Sequence, residues 1–218
     1  PASIESVLFN GGKLLTQMFV SGMGTSVIAG NFIVFSIAAL INLPGNALGS
    51  ASTIITGRRL GNGQIAQAEI QLRHVFWLST IGLTAIAWLT APFAGVMASF
   101  YTHDQDVKEV IVILIWLNAA FMPIWAASWV LPAGFKGARD ARFAMWVSML
   151  GMWGCRVVAG YTLGIVLGWG VVGVWLGMFF DWAVRAALFY WRMVTGRWLW
   201  KYPRPEREKC IKQPVASE

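Results

Sequence analysis

An all-α membrane protein with six transmembrane helices is the fold class that this sequence predicts, and three observations predict it. Of the 218 residues, 57% are hydrophobic and only 12% charged, with a mean hydropathy of +0.60. A water-soluble domain of this size needs a far more charged surface. The apolar residues gather in runs near the roughly 20 residues that cross about 30 Å of hydrocarbon. Lysines and arginines collect between alternate runs. Lipid is therefore the expected solvent, and helices that close their own backbone hydrogen bonds are the expected elements.

The first span is expected over residues 4–21 and the second over 27–57. The second amounts to about 46 Å of helix, longer than the bilayer core, so it must bend, tilt or protrude. Pro44, Gly45 and Gly49 offer a place for the bend, because proline removes a ladder hydrogen bond and crowds the preceding turn. The remaining spans are expected over 75–100, 110–132, 143–167 and 171–191. Residues 201–218, with Pro203, Pro205 and mixed charges, read as a disordered cytoplasmic tail. Trp198, Trp200 and Tyr202 are expected at the interface as anchors.

Charge sets the expected orientation. Arg58, Arg59 and Arg73 follow span two, Lys136, Arg139 and Arg142 follow span four, and Arg192, Arg197, Lys201, Arg204, Arg207, Lys209 and Lys212 follow span six. The opposite loops hold Lys108 alone. Both ends of the chain are thus expected in the cytoplasm, as an even number of spans requires. The same distribution reads the net charge of +7 as topology and not as a nucleic-acid surface. The lipid bilayer is the expected partner. Pro1, with no Met before it and no basic, cleavable leader after it, suggests that the numbering starts inside a longer protein.

No chemistry of a cofactor-bearing enzyme is assembled by these residues, and no cofactor is expected. The glycines of Gly57-Arg58-Arg59-Leu60-Gly61-Asn62-Gly63 lack the Lys-Ser/Thr ending of a phosphate loop. Cys155 and Cys210 match no metal or redox spacing, and His74 and His103 fall on opposite membrane sides. No metal site is expected.

Ionisable residues inside spans are functional candidates because hydrocarbon solvates them poorly. Asp181 and Arg185, four apart on one helix face, are expected to form a structural ion pair, and Arg156 on the neighbouring span is within possible reach of the same carboxylate. Arg156 is also a candidate for attracting an anionic substrate. Lys13 and Glu5 on span one read as snorkelling toward the interface. Asn10, Gln17, Asn31, Asn42 and Asn118 are candidates either for lining a watery cavity or for interhelical hydrogen bonds. Trp125, among the membrane tryptophans, offers a face for a planar ligand. Gly151, Gly154, Gly160 and Gly164 suit close helix approach.

The stretch from Gly57 to Ala68 resembles the Gly-x-x-Leu-Gly-x-Gly-x-x-x-x-Ala signature of the multidrug and toxic compound extrusion (MATE) family. Gly22 to Ala29, Pro132 to Asp140 and Gly170 to Trp175 agree with it in the right order. Within the family, the sequence resembles the YeeO-type flavin exporters of bacterial inner membranes. The resemblance implies one six-helix lobe of a twelve-helix transporter, here the second, with an N-terminal six-helix lobe expected in the same protein. It implies a small-molecule cargo, FMN or FAD, exported against an inward proton or sodium gradient (H+ or Na+), and a gating or turn role for Asp140. Relatives of one branch carry a coupling Glu and Asp on the lobe's first and fourth spans, where this chain has Phe9 and Trp125. Neither side chain binds a cation through a carboxylate, so no second-lobe cation site is transferred. Export of cationic drugs, the membrane domain of an ATP-driven pump, and a truncated fragment without transport are the competing readings.

Overall fold

The structure, a computed structural model, describes the backbone of residues 2–202 and the side-chain surroundings of residues 7–202. The expected tail beyond Tyr202 and the side chain of Glu5 lie outside the described residues. Helix α1 covers Ala2–Ser21 and α2 covers Thr25–Gly61. They are joined at Gly24, whose φ of 105° is a conformation that side chains with a Cβ rarely adopt. Helix α3, Ile65–Thr90, passes through a 3₁₀ turn at Ala91–Phe93 into α4, Ala94–Tyr101. Pro92 sits in that tighter turn, where its missing N–H is tolerated. Helix α5, Gln105–Gly137, starts at Asp104, whose carboxylate accepts from the Asp106 amide at 3.0 Å.

Next comes α6, Ala141–Met149, which widens into a π-helical segment, Leu150–Val157. One α turn, α7 at Val158–Tyr161, separates it from a second π segment, Thr162–Val166. Helix α8, Gly170–Val194, and a 3₁₀ turn, Arg197–Leu199, complete the fold.

Five of these rods are long and apolar enough to cross a membrane: Thr25–Gly61, Ile65–Tyr101, Gln105–Gly137, Ala141–Val166 and Gly170–Val194. The 20 residues of α1, broken by Asn10, Lys13 and Gln17, are not among them. Helices overrun the expected spans, notably starting at Ile65 for 75 and ending at Gly137 for 132, because the helical backbone continues through the polar residues that flank the apolar run. Arg58, Arg59, Lys136 and Arg142, read as loop residues, are therefore on helix ends, and Arg73 lies about two turns inside α3. Arg59 is tied there to Gln64 at 2.8 Å, to Gln71 at 3.2 Å and to Gln67.

Helix α5 is the hub, packed against α2, α3 and α8, while α1 leans on α6, the first π segment and α8. One core cluster, with Val34, Ile111, Leu114 and Phe179, lies toward the turns at 22–24, 102–104 and 167–169. The other, with Leu72, Leu131, Phe135 and Phe189, lies toward the turns at 62–64, 138–140 and 195–202. The basic helix ends share this second end, where Arg192 bonds Asp140 at 2.7 Å and Lys201 bonds the Arg139 carbonyl at 2.9 Å.

Trp198 is a correction to the expected interface anchors. It is fully buried beside Phe135, ring centroids 5.8 Å apart, because the 3₁₀ turn folds back onto the second core. Trp200 is exposed as expected.

Several of these apolar helices are largely uncovered. Only a third of the apolar window of α2 is buried, and Phe100, Leu89 and Ile54 stand open to the surroundings. In water such a surface would associate; against lipid tails it is solvated.

Glycines set the closest helix contacts. A Cβ at Gly45 would stand 2.7 Å from Trp125 and 2.9 Å from Leu83, so this glycine seats α2 on α5 and α3 beyond any part in the Pro44 bend. On α8, Gly177 approaches Gly160, with the latter's Cα 2.7 Å from where a Cβ would be.

Candidate functional site

On α1, Asn10, Lys13 and Gln17 are spaced three and four apart and share one face. That face borders two cavities. The smaller, about 240 Å³, lies between α1, α2, the π segment and α8 and is lined by Lys13, Thr16, Gln17, Asn31, Arg156, Trp175 and Met178 among others. The larger, about 530 Å³, opens toward the basic end and is lined by Phe9, Asn10, Lys13, Asn46, Ser50, Thr53, Ser128, Trp129, Lys136 and Arg185 among others. Lys13 is common to both.

Asp181 and Arg185 form the expected ion pair, doubly bonded. Arg185 Nε donates to Oδ1 at 2.6 Å and Nη2 donates to Oδ2. Both side chains are buried, a setting in which such a pair holds only when its geometry is good. Gly151 on the π segment makes room for it, since a Cβ there would fall 2.9 Å from Arg185 Cγ.

Arg156 does not join the pair. Its Nη2 donates to the Met178 sulfur at 3.1 Å, and its Nε is buried without a partner. The expected sharing of Asp181 is not seen: both of its oxygens accept from Arg185, and the Arg156 guanidinium is turned to Met178.

Asn31 is anchored from α8. Trp175 Nε1 donates to its Oδ1 at 2.9 Å, and because the indole can only donate, the amide orientation is set and Nδ2 is left as a buried donor without a partner.

Phe9 sits between two cations, with Lys13 Nζ 5.0 Å and the Arg185 guanidinium carbon 5.5 Å from its ring centroid. Lys13, an exposed residue, thus borders both cavities as well as the Phe9 ring.

Two candidates move out of the cavities. Trp125 is a core residue, stacked on Trp129 at 5.7 Å and edge-on to Trp182 at 6.5 Å, and Trp129 is the ring that faces the larger cavity. Asn118 is buried on α5 and lines neither cavity. Asp140 heads α6 and holds Arg192, whose guanidinium also lies 3.9 Å from the Phe143 ring centroid.

The sequence model of the MatE family matches residues 1–162. The chain belongs to the MatE family. The uncharacterized transporter YisQ of Bacillus subtilis (strain 168) is 25% identical over 202 residues, covering 92% of this chain and 44% of that protein. A probable multidrug resistance protein NorM of Xylella fastidiosa (strain 9a5c) is 26% identical over 192 residues, covering 86% and 40%. Among solved structures, the MATE transporter ClbM in complex with Rb+ superposes with a TM-score of 0.82 at 18% identity, covering 91% and 47%. A MOP superfamily transporter from Pyrococcus furiosus does so with 0.83 at 22%, covering 89% and 43%. These likenesses carry the fold. This MatE chain spans less than half the length of the relatives it matches. Family and apolar helices together make it a multi-pass membrane protein.

For a MatE chain, the lining is notable for its charge. The charged residues on both cavities are Lys13, Lys136, Arg156 and Arg185, and no described lining residue is Asp or Glu. Sequence reasoning missed Trp175, Met178 and Thr16, which reach the smaller cavity only through tertiary packing. Lys13, read from the sequence only as snorkelling, was missed as a lining residue too, although its place in the polar stripe of α1 with Asn10 and Gln17 was a signal for it.

Proposed function

We propose that this chain is the second six-helix lobe of a twelve-helix, ion-gradient-driven antiporter of the bacterial inner membrane, exporting flavin nucleotides (FMN and FAD) from the cytoplasm. In this reading α1 is a span as well, which brings the number to six, its polar stripe turned to the transport path instead of to lipid, and both ends of the chain are cytoplasmic. A preceding six-helix lobe supplies the opposite wall of the cavity, as repeats do in secondary transporters. Asn10, Gln17, Asn31 and Arg156 line this wall, with Lys13 between its two cavities. Asp181 and Arg185 hold α8 in place, and Asp140 fastens the α5–α6 turn to Arg192.

One observation carries the substrate class: every charged residue among the described lining of the two cavities is a cation, and while Arg185 is paired with Asp181, Lys13 and Arg156 both border the smaller cavity. A partly desolvated cationic wall favours anionic cargo, and a flavin nucleotide joins a phosphate to a planar ring that Trp129 or Phe9 can meet. A multidrug reading is favoured by a different fact, that several relatives are described as multidrug resistance proteins. Lipophilic cations would then meet an unfavourable wall on this side and find their counter-charge on the other lobe.

The test is efflux from cells expressing the complete protein that contains these residues. Flavin nucleotide release that collapses with a protonophore or on sodium removal is the expected result. Gradient-dependent extrusion of a lipophilic cation with no flavin release would establish the multidrug reading in its place.

A further inference from the structure

The smaller cavity brings together hydrogen-bond donors that the protein itself leaves unused. Asn31 is 1% exposed and Arg156 7%, so neither has bulk solvent as a partner. Asn31 Nδ2 and Arg156 Nε are both buried without an acceptor, on helices far apart in sequence, and both residues line the same space. A buried donor left without an acceptor is destabilising, more so when charged, so two around one cavity form a demand for an acceptor. Neighbouring groups do not meet it. The Asn31 carbonyl is taken by Trp175, the Met178 sulfur is a weak acceptor, and the Thr16 hydroxyl is turned to the carbonyls of Gly12 and Lys13 at 3.1 and 2.8 Å. Lys13 adds a second positive charge at the lining. The other polar lining residue, Gln17, is uncharged.

We infer that this cavity is an anion-binding subsite in which Arg156 Nε and Asn31 Nδ2 donate to the oxygens of a phosphate or carboxylate, with Lys13 neutralising the second charge. The inference rests on the exporter reading above and deepens it by giving the anionic end of the cargo a place on this lobe. At about 240 Å³ the cavity takes a phosphate-sized group and leaves a larger body outside, toward the face that carries Asn10 and Phe9. The guanidinium is suited to oxyanions by its planar array of donors. Trp175 is a positioning residue, because its indole N–H decides that Asn31 presents its NH₂ and not its carbonyl to the cavity.

The test uses the complete protein in phosphatidylcholine nanodiscs, with FMN, riboflavin and inorganic phosphate as probes. FMN is expected to bind about 10- to 100-fold tighter than riboflavin, the range of one or two charge-assisted bonds. Inorganic phosphate is expected to weaken FMN binding and leave riboflavin binding unchanged. Asn31→Asp keeps the shape and the acceptor for Trp175 but replaces donors with a carboxylate, so FMN affinity should fall at least about 10-fold with riboflavin unmoved. Should that variant not fold, phosphate competition on the unmodified protein still decides. Equal binding of FMN and riboflavin without phosphate competition, or FMN affinity undiminished in folded Asn31→Asp, overturns the subsite.

The two readings fail separately. Gradient-driven FMN export that is indifferent to Asn31→Asp keeps the exporter and removes the subsite. Phosphate binding lost in Asn31→Asp, in a protein that exports no flavin, keeps the subsite and removes the flavin cargo. Adding phosphatidylglycerol to the nanodiscs identifies the source of the anion: competition with phosphate assigns the site to a lipid headgroup, and its absence to a soluble anion, the site standing in both cases.

Discussion

Asp181 and Arg185 show how much a four-residue spacing can say and where it stops. The spacing put both on one face, and the structure joins them by two hydrogen bonds in a site closed to solvent. Removing one partner strands a charge in a medium that solvates it poorly, whereas removing both need not. Asp181→Leu is therefore expected to lose about 3–5 kcal/mol, read as a lower thermal midpoint in detergent. The double variant Asp181→Leu with Arg185→Met should recover most of that loss. A double variant as unstable as the single one would mean that the pair's shape, and not its charge balance, holds α8. Arg156 carries the opposite lesson, because its distance from Asp181 is a matter of helix rotation and nothing in the sequence states that rotation. Phe9, aligned by resemblance with a coupling acid, instead lies against two cations. Phe9→Leu should lower stability by about 0.5–1 kcal/mol through loss of the ring's negative face and leave the gradient dependence of export intact. A variant that exports without any gradient would make Phe9 part of the coupling.

At the scale of elements, the α2–α5 contact depends on the absence of a side chain at Gly45. Gly45→Val would press into Trp125 and Leu83, and overpacking of this kind costs about 1–3 kcal/mol. The expected outcome is a lower thermal midpoint that is partly restored by Trp125→Leu in the same chain. No change on Gly45→Val would show that the two helices separate freely at this point. The Pro44-Gly45 pair reads in the sequence as a place for a bend, but its packing role was not visible there, since a glycine looks the same whether it flexes a backbone or admits an indole. The π segments at Leu150–Val157 and Thr162–Val166 were likewise illegible. A π turn changes the rotation per residue without a characteristic residue type, so the 3.6-residue period read from sequence misplaces Arg156 around its helix.

For the molecule as a whole, basic residues gather at the end that holds Arg59, Arg139 and Lys201, and His103 lies in the turn at the other. Single cysteines at Arg59 and Arg139 should react with a membrane-impermeant reagent only after the inner membrane is opened, and a cysteine at His103 should react before. The reverse pattern would invert the orientation. Residues 1–218 expressed alone are expected to insert and yet not to perform coupled export, because one lobe offers one wall and no described cavity carboxylate to titrate or hold a cation. Protonophore-sensitive flavin release by this segment alone would sink the two-lobe reading.

Membrane class, helical content and the basic end were determined by the sequence by itself, because they follow from hydropathy summed over some twenty residues and from charge counted per loop. Such sums tolerate errors of several residues at every boundary. The MATE-like signatures were legible for a related reason, each being a local string at a helix end. Which polar groups meet was decided only by tertiary structure. Trp125 went to the core and Trp129 to a cavity, Asn31 was turned by Trp175, and Arg156 was turned to Met178 while Arg185 held the acid. Each of these outcomes depends on the rotation of one helix against another, and that rotation is set by the combined packing of side chains from α2, α5 and α8, which no single stretch of sequence contains.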